Sequence, residues 1–330
     1  MGLLINGVWH DQWYDTEKSD GAFIRSESQF RNAISADGNT GFKAQANRYH
    51  LYVSLACPWA HRTLIFRKLK KLEHIISVSA VAPHMLQHGW AFDGSFDSDR
   101  DSLNNTDFLH QIYTKAKPDY SGRVTVPVLW DKHLNTIVNN ESAEIIRMFN
   151  SEFQAFTDVT QDYYPAALRS DIDSINEFIY HNINNGVYKC GFATRQHAYE
   201  RAYADLFAAL DELEHRLDRQ PYLVGHQLTE ADWRLFTTLI RFDAVYVGHF
   251  KCNRQRIADF PNLSNYLRAL YQIPGVSETV NLTHIKQHYY YSHETINPTR
   301  IVPQGPQLNF DASHNRSRFD SPHHKKRSTR

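Results

Sequence analysis

The stretch Tyr49-His50-Leu51-Tyr52-Val53-Ser54-Leu55-Ala56-Cys57-Pro58-Trp59-Ala60 decides how the rest of the chain is read. Across residues 48–55 the side chains alternate. Leu51, Val53 and Leu55 fall on one side, and His50, Tyr52 and Ser54 on the other, which is the period of a strand. Pro58 suits the first position of a helix, and Leu64, Ile65, Leu69 and Leu72 give that helix an apolar stripe. Cys57 therefore stands between the end of a strand and the start of a helix. Backbone N–H groups and the positive end of the helix dipole favour a thiolate there. A lone cysteine is often just a small buried apolar residue. Here, however, Cys57-Pro58-Trp59-Ala60 has the layout of a C-P-x-C redox motif, with Ala60 in place of the second cysteine. The motif cannot close a disulfide on itself. A mixed disulfide on Cys57 needs an outside thiol to resolve it, glutathione being the obvious one.

Residues 75–81 read as a second strand, and 83–105 as a long loop of the kind that is often functional. A short helix follows up to residue 116, then turn chemistry at 118–122. Residues 124–130 read as a strand interrupted by Pro127, 136–138 as a short strand, and 141–149 as a helix. The order β-α-β-α-β-β-α fits a thioredoxin-like α/β domain over residues 48–150. Proline cannot donate to a sheet ladder. In thioredoxin-like proteins a cis-proline at this point packs beside the cysteine, which would leave the Val126 backbone to a peptide-like ligand. The helix start at Glu141-Ser142 adds an anion site made by backbone N–H groups and the dipole. The Ser142 hydroxyl can donate to a carboxylate and Glu141 can accept from an ammonium, so the pair can hold both charged groups of an α-amino acid.

On either side, residues 1–47 read as a polar, irregular N-terminal arm whose Trp9, Trp13, Tyr14, Phe23 and Phe30 dock on the body. Residues 163–300 read as an all-helical domain, with helices at 165–182, 262–272 and 278–287. Tyr199, Tyr203, Leu206, Leu210, Leu213 and Leu217 recur at helical spacing. Thr229-Glu230-Ala231-Asp232 opens another helix with a variant capping box. Residues 301–330 fade into a tail with a basic, disordered end. Arg316, Arg318, Lys325, Lys326, Arg327 and Arg330 stand there against Asp320. The chain has 36 Lys or Arg and 36 Asp or Glu among 330 residues, so its neutrality is the sum of a mildly acidic body and a basic tail. That balance argues against a generally basic nucleic-acid binder. No run approaches the ~18 apolar residues of a membrane span. Three scattered cysteines, 57, 190 and 252, build no disulfide scaffold and point to a reducing, cytoplasmic setting. Cys190 and Cys252 read as passive. Cys57 with His61, or His323 with His324, makes no metal-ligand pattern, so no metal is expected. His61 reads as a helix-surface or supporting residue.

The chain resembles the cytosolic glutathione transferases, a thioredoxin-like domain followed by an all-helical one. The segment from Pro221-Tyr222-Leu223-Val224-Gly225 through Thr229-Glu230-Ala231-Asp232 is similar to their C-terminal-domain capping motif. More narrowly, four stretches resemble the glutathionyl-hydroquinone reductases, the xi class: residues 49–62, Gly122-Arg123-Val124-Thr125-Val126-Pro127-Val128-Leu129-Trp130-Asp131, Asn140-Glu141-Ser142-Ala143-Glu144-Ile145 and Asn185-Gly186-Val187-Tyr188-Lys189. The resemblance implies Cys57 as nucleophile and Trp90 as the residue closing over glutathione. It also implies Arg123, Val124, Thr125 and Val126 along the tripeptide, with Arg123 as a cationic partner, and Glu141 with Ser142 at its γ-glutamyl end. Tyr188 would handle the proton at the quinol, while Tyr246 and Tyr289 would lower the Cys57 pKa. Composition alone selects none of these from 18 tyrosines. The implied activity is glutathione-dependent reduction of glutathionyl-hydroquinones by a homodimer, with glutathione as co-substrate. An omega-like thioltransferase or dehydroascorbate reductase is the alternative. A non-catalytic glutathione-binding regulatory protein is a third reading, which the intact Cys57 opposes.

Overall fold

The computed structural model of the protein describes residues 2–320. The backbone falls into two units. One holds residues 2–19, 23–162 and 278–303, the other residues 20–22, 163–277 and 304–320.

The first unit opens with β1 (Leu3–Ile5) and β2 (Val8–His10). Asn6 and Gly7 between them have φ of 48° and 78°, and Ile5 pairs with Val8. Asn-Gly suits the left-handed two-residue hairpin turn. The arm expected to be irregular is thus partly a hairpin, and the signal was present in its sequence. Its aromatics dock as expected: Trp9 stacks on His110 with ring centroids 4.8 Å apart, and Phe30 stacks on Tyr120. A short parallel pair, β3 (Ile34–Ser35) and β4 (Phe42–Lys43), follows. Next come β5 (Tyr49–Val53), α1 (Pro58–Leu69), β6 (Ser77–Ala80), α2 (Leu109–Ala116), β7 (Gly122–Arg123), β8 (Val128–Asp131), β9 (Thr136–Asn139) and α3 (Ser142–Ser151).

The central sheet has the order β6-β5-β8-β9. β5 runs parallel to β6 and antiparallel to β8, while β7 pairs with β1 instead. All five residues of β5 are buried, so the alternation in this strand separates two covered faces, as in sheets packed on both sides. Arg48 and Asp131 close the end of β5 and β8 with a buried ion pair at 2.5 Å. The strand expected over 124–130 begins only at Val128, because Pro127 offers no N–H to the ladder. The stripe expected on α1 also differs. Ile65 is buried, but Leu64 and Leu69 are only half-buried, and the helix buries His61, Arg62 and Thr63 instead. His61 is fully buried, its Nε2 2.8 Å from Thr279 Oγ1, so it is not a helix-surface residue.

The second unit is helical: α4 (Arg169–Ile179), α5 (Gly186–Phe192), α6 (Gln196–Arg219), α7 (Glu230–Arg241) and α8 (Pro261–Tyr271). Of the residues its period marked, α6 buries Leu206, Leu210, Leu213 and Leu217, while Tyr199 and Tyr203 are half-buried. At the start of α7, Asp232 is fully buried and accepts from Leu223 N–H, Thr229 N–H and the Tyr266 hydroxyl at 2.9, 2.8 and 2.7 Å. Burial pushes its carboxyl up, against these hydrogen bonds.

Two boundaries change. α9 (Leu282–Ser292) groups with the first unit, not with the helical domain expected to run to residue 300. The reason is local: His288 Nδ1 lies 2.9 Å from Pro83 O, and Met85 N–H donates to Ser292 Oγ. The first part of the expected tail is also built into the structure. Arg316 is buried and donates to the carbonyls of Leu217, Gln220 and Pro221 at 2.7, 2.6 and 2.8 Å. It thereby satisfies acceptors at the C-terminal end of α6 that the helix leaves open. Lys325, Lys326, Arg327 and Arg330, with the expected disordered end, lie outside the described residues.

Candidate active site

Cys57 is the N-cap of α1, with φ −76° and ψ 123°, and Pro58 is the first helical residue. Ser54 holds the turn before it. Its carbonyl accepts from Cys57 N–H at 3.1 Å and its hydroxyl from Ala56 N–H at 3.2 Å. Cys57 is half-exposed and in no disulfide, and its thiol donates to Val126 O across 3.7 Å. The Val126–Pro127 peptide is cis. The sheet thus brings together two residues that lie 69 positions apart in the chain.

Val124 and Val126 are buried, and Thr125 between them is half-buried. Thr125 is braced by Tyr113, which the sequence reading passed over. The buried Tyr113 hydroxyl donates to Thr125 O at 2.8 Å and accepts from Thr125 N–H at 3.2 Å and Asn140 Nδ2 at 3.0 Å. Tyr113 sits on the buried face of the short helix α2, a position whose spacing signals only a core residue. Arg123 donates to the carbonyls of Gln12 and Trp13 and lies over the Tyr14 ring at 4.1 Å. Burial lowers its pKa. The N-terminal arm therefore holds this cation in place.

At the start of α3, Glu141 is the N-cap and accepts from Ala143 N–H at 3.0 Å. Ser28 and Ser142 hydroxyls donate to the same carboxylate at 3.3 and 3.4 Å. The helix end read as an anion site is thus capped by the Glu141 carboxylate itself. Ser142 is buried and accepts from Arg62 Nη1 at 3.5 Å, so it bridges α3 to α1. Arg62 in turn stacks over Trp59 at 4.5 Å.

Trp90 is buried and stacks on His288, centroids 4.8 Å apart. Tyr289 is buried beside them, edge-on to His288 and to His293. In the second unit, Tyr188 and Tyr246 meet at 6.2 Å between centroids, and both contact Phe250. Each belongs to a helix with a wider-than-α turn, at Tyr180–Asn184 before α5 and at Phe242–Tyr246 after α7. Such turns often mark functional sites. Asn184 ties the two together, donating to Arg234 O at 3.1 Å and Thr238 Oγ1 at 2.7 Å. Neither the wide turns nor Asn184 had a sequence signal of its own. Among the described residues, no group of three or more His, Cys, Asp or Glu side chains could hold a metal ion. No helix among them is long and apolar enough to cross a membrane.

Two family models match the chain: "Glutathione S-transferase, N-terminal domain" over residues 56–152 and "Glutathione S-transferase, C-terminal domain" over residues 196–269. Glutathionyl-hydroquinone reductase YqjG of Escherichia coli strain K12 is 58% identical over 323 residues, which is 96% of this chain and 98% of that protein. The glutathione-bound structure of YqjG matches with a TM-score of 0.88 at 55% identity, covering 95% of this chain and 99% of that one. Glutathionyl-hydroquinone reductase PcpF of Sphingobium chlorophenolicum is 55% identical over 306 residues, 93% of this chain and 96% of that protein. A xi class transferase structure from Natrialba magadii has a TM-score of 0.90 at 48% identity, covering 96% of this chain and 97% of that one.

Proposed function

This chain belongs to the glutathione S-transferases, within their xi-class glutathionyl-hydroquinone reductases, and we propose that it reduces glutathionyl-hydroquinones to hydroquinones at the expense of glutathione. The observation that carries the reading is Cys57. It is a half-exposed thiol at the N-terminus of α1, 3.7 Å from the carbonyl before Pro127, with Ala60 where a resolving cysteine would stand.

The chemistry runs in two displacements. In its keto form the hydroquinone carries an added ring proton on the carbon bonded to sulfur. The Cys57 thiolate attacks the glutathionyl sulfur. The S–S bond forms, the C–S bond breaks, and its electron pair restores the aromatic hydroquinone. A second glutathione thiolate then attacks the Cys57–glutathione disulfide, releasing oxidised glutathione and the Cys57 thiolate. Two glutathionyl sulfurs are oxidised to a disulfide while one ring carbon exchanges sulfur for hydrogen, so atoms and electrons balance.

In this reading Val126 clamps the tripeptide with its backbone, with Val124 and Thr125 beside it. Arg123 supplies a positive charge held by the arm. Ser142 and Glu141 take the γ-glutamyl carboxylate and ammonium, and Trp90 closes over the peptide. Tyr188 exchanges the quinol proton, while Tyr246 and Tyr289 donate to the Cys57 sulfur and favour its thiolate. Cis-Pro127 shapes the clamp. The same reading expects a homodimer, to be checked by sedimentation, in the cytoplasm.

Mass spectrometry of the protein incubated with glutathionyl-menadiol tests the proposal. A glutathione adduct on Cys57 with menadiol released supports it. Faster turnover of a simple mixed disulfide than of the hydroquinone conjugate would overturn it in favour of an omega-like thioltransferase.

A further inference from the structure

Residues 284, 288 and 292 fall on one stripe of α9, and each meets the long loop before α2. His284 Nε2 contacts Phe96 O, His288 Nδ1 contacts Pro83 O, and Ser292 Oγ accepts from Met85 N–H. His288 faces a carbonyl through Nδ1, so that nitrogen carries the proton and donates. This fixes the tautomer and the plane of the ring. The face of the same ring stacks on Trp90, centroids 4.8 Å apart and planes 27° apart. Gly89 and Ala91 line a cavity of 950 Å3, whereas Trp90 between them turns inward and is 5% exposed. The loop backbone is pinned before Trp90, where Gly89 N–H donates to Leu86 O at 2.8 Å, and again at and after it. Ala82 N–H donates to Ala91 O at 2.8 Å, and Leu109 N–H to Trp90 O at 2.9 Å. With the backbone held, the indole orientation is left to what packs on its face.

We infer that His288 is a positioning residue for Trp90: anchored to Pro83 by one nitrogen, it offers its ring as the platform that sets the indole plane for glutathione. The inference rests on the Trp90 role proposed above. It connects two elements otherwise assigned separately, the loop that covers glutathione and the helix that carries Tyr289.

Calorimetric titration of glutathione into the full-length protein, its single variants and a double variant decides the matter. His288→Ala should weaken glutathione binding by about tenfold, the size of one lost aromatic stack. In turnover it should raise KM for glutathione far more than it lowers kcat. His288→Phe, which keeps the platform but loses its anchor, should restore part of the binding, and His288→Asn, which keeps only the donor, should restore none. His288→Ala should cost nothing further in a Trp90→Ala background, because the two act as one unit. Additive losses, or rescue by Asn and not by Phe, would overturn the inference, as would a His288→Ala protein that binds glutathione like wild type. A wild-type protein that binds no glutathione would sink the proposed function itself, an outcome that no His288 variant can imitate.

Discussion

The first unit contains two helix starts made in opposite ways. α3 begins under a carboxylate, with Glu141 accepting from Ala143 N–H and two serine hydroxyls donating to Glu141. α1 begins at Cys57, whose side chain makes no capping hydrogen bond. Pro58 removes one of the N–H groups that would otherwise need a partner. Capping and reactivity draw on the same resource, the N–H groups and positive field of a first turn. At α3 an anion belonging to the fold uses that field. At α1 it is left for a sulfur that can become an anion. The start of α7 is the extreme of the first kind, with Asp232 sealed in the core and holding four donors.

The sharpest way to break this comparison is Cys57→Ser. Serine is a better cap and a much poorer nucleophile. Turnover should fall by at least about a thousandfold, while unfolding stability holds or rises by up to about 1 kcal/mol. Steady-state kinetics and urea unfolding on one preparation check both halves. A variant that loses stability together with activity would show that α1 was never under-capped.

The opposite end of the scale is Asp232→Ala. Removing this acceptor strands buried donors, so the second unit should lose roughly 3 kcal/mol in urea unfolding, with Asp232→Asn recovering part of it. A loss under about 1 kcal/mol would erase the contrast with the weaker caps.

Acid should lower stability by another route. Burial pushes both His50 and His249 down to about 4. In the unfolded chain each binds a proton near pH 6.5, so the folded protein refuses protons that the unfolded chain accepts between those values. Their contribution is complete above pH 6.5 and is lost as pH falls toward 4, on the order of 2 kcal/mol per histidine. Urea midpoints at pH 7 and pH 4.5 test this, and His50→Phe should flatten part of the slope. Comparisons between caps therefore belong at pH 7.

The smallest effect is expected at the start of α3. Glu141→Ala should cost about 1 kcal/mol as a lost cap and weaken glutathione binding. Glu141→Gln, still an acceptor, should keep the stability and lose the binding. If Gln preserved both, Glu141 would be a cap and nothing more.

Legibility followed the range of the interactions. α6 and the start of α7 were readable because their signals lie within a few residues: a leucine stripe, and Thr229 followed by Asp232. The Asn6-Gly7 hairpin was equally local and was missed only because the arm around it is polar. The face that α1 buries was not readable, because His61 and Arg62 are buried through partners at Thr279 and Ser142, far along the chain. Tyr113 under Thr125, Asn184 across two helices and His288 under Trp90 likewise look like ordinary core residues in one dimension.

By itself the sequence determined that a strand hands Cys57 to a helix, that the motif has no second thiol, and that a helical domain follows. Each of these is written in neighbouring residues and in the periods of 2 and 3.6. Only the tertiary structure decided that Cys57 meets Val126, that α9 joins the sheet-bearing unit, and that Arg316 closes α6 instead of trailing in a basic tail. Those outcomes depend on buried donors and acceptors finding partners across tens to hundreds of residues, and such a requirement leaves no periodic trace in the chain.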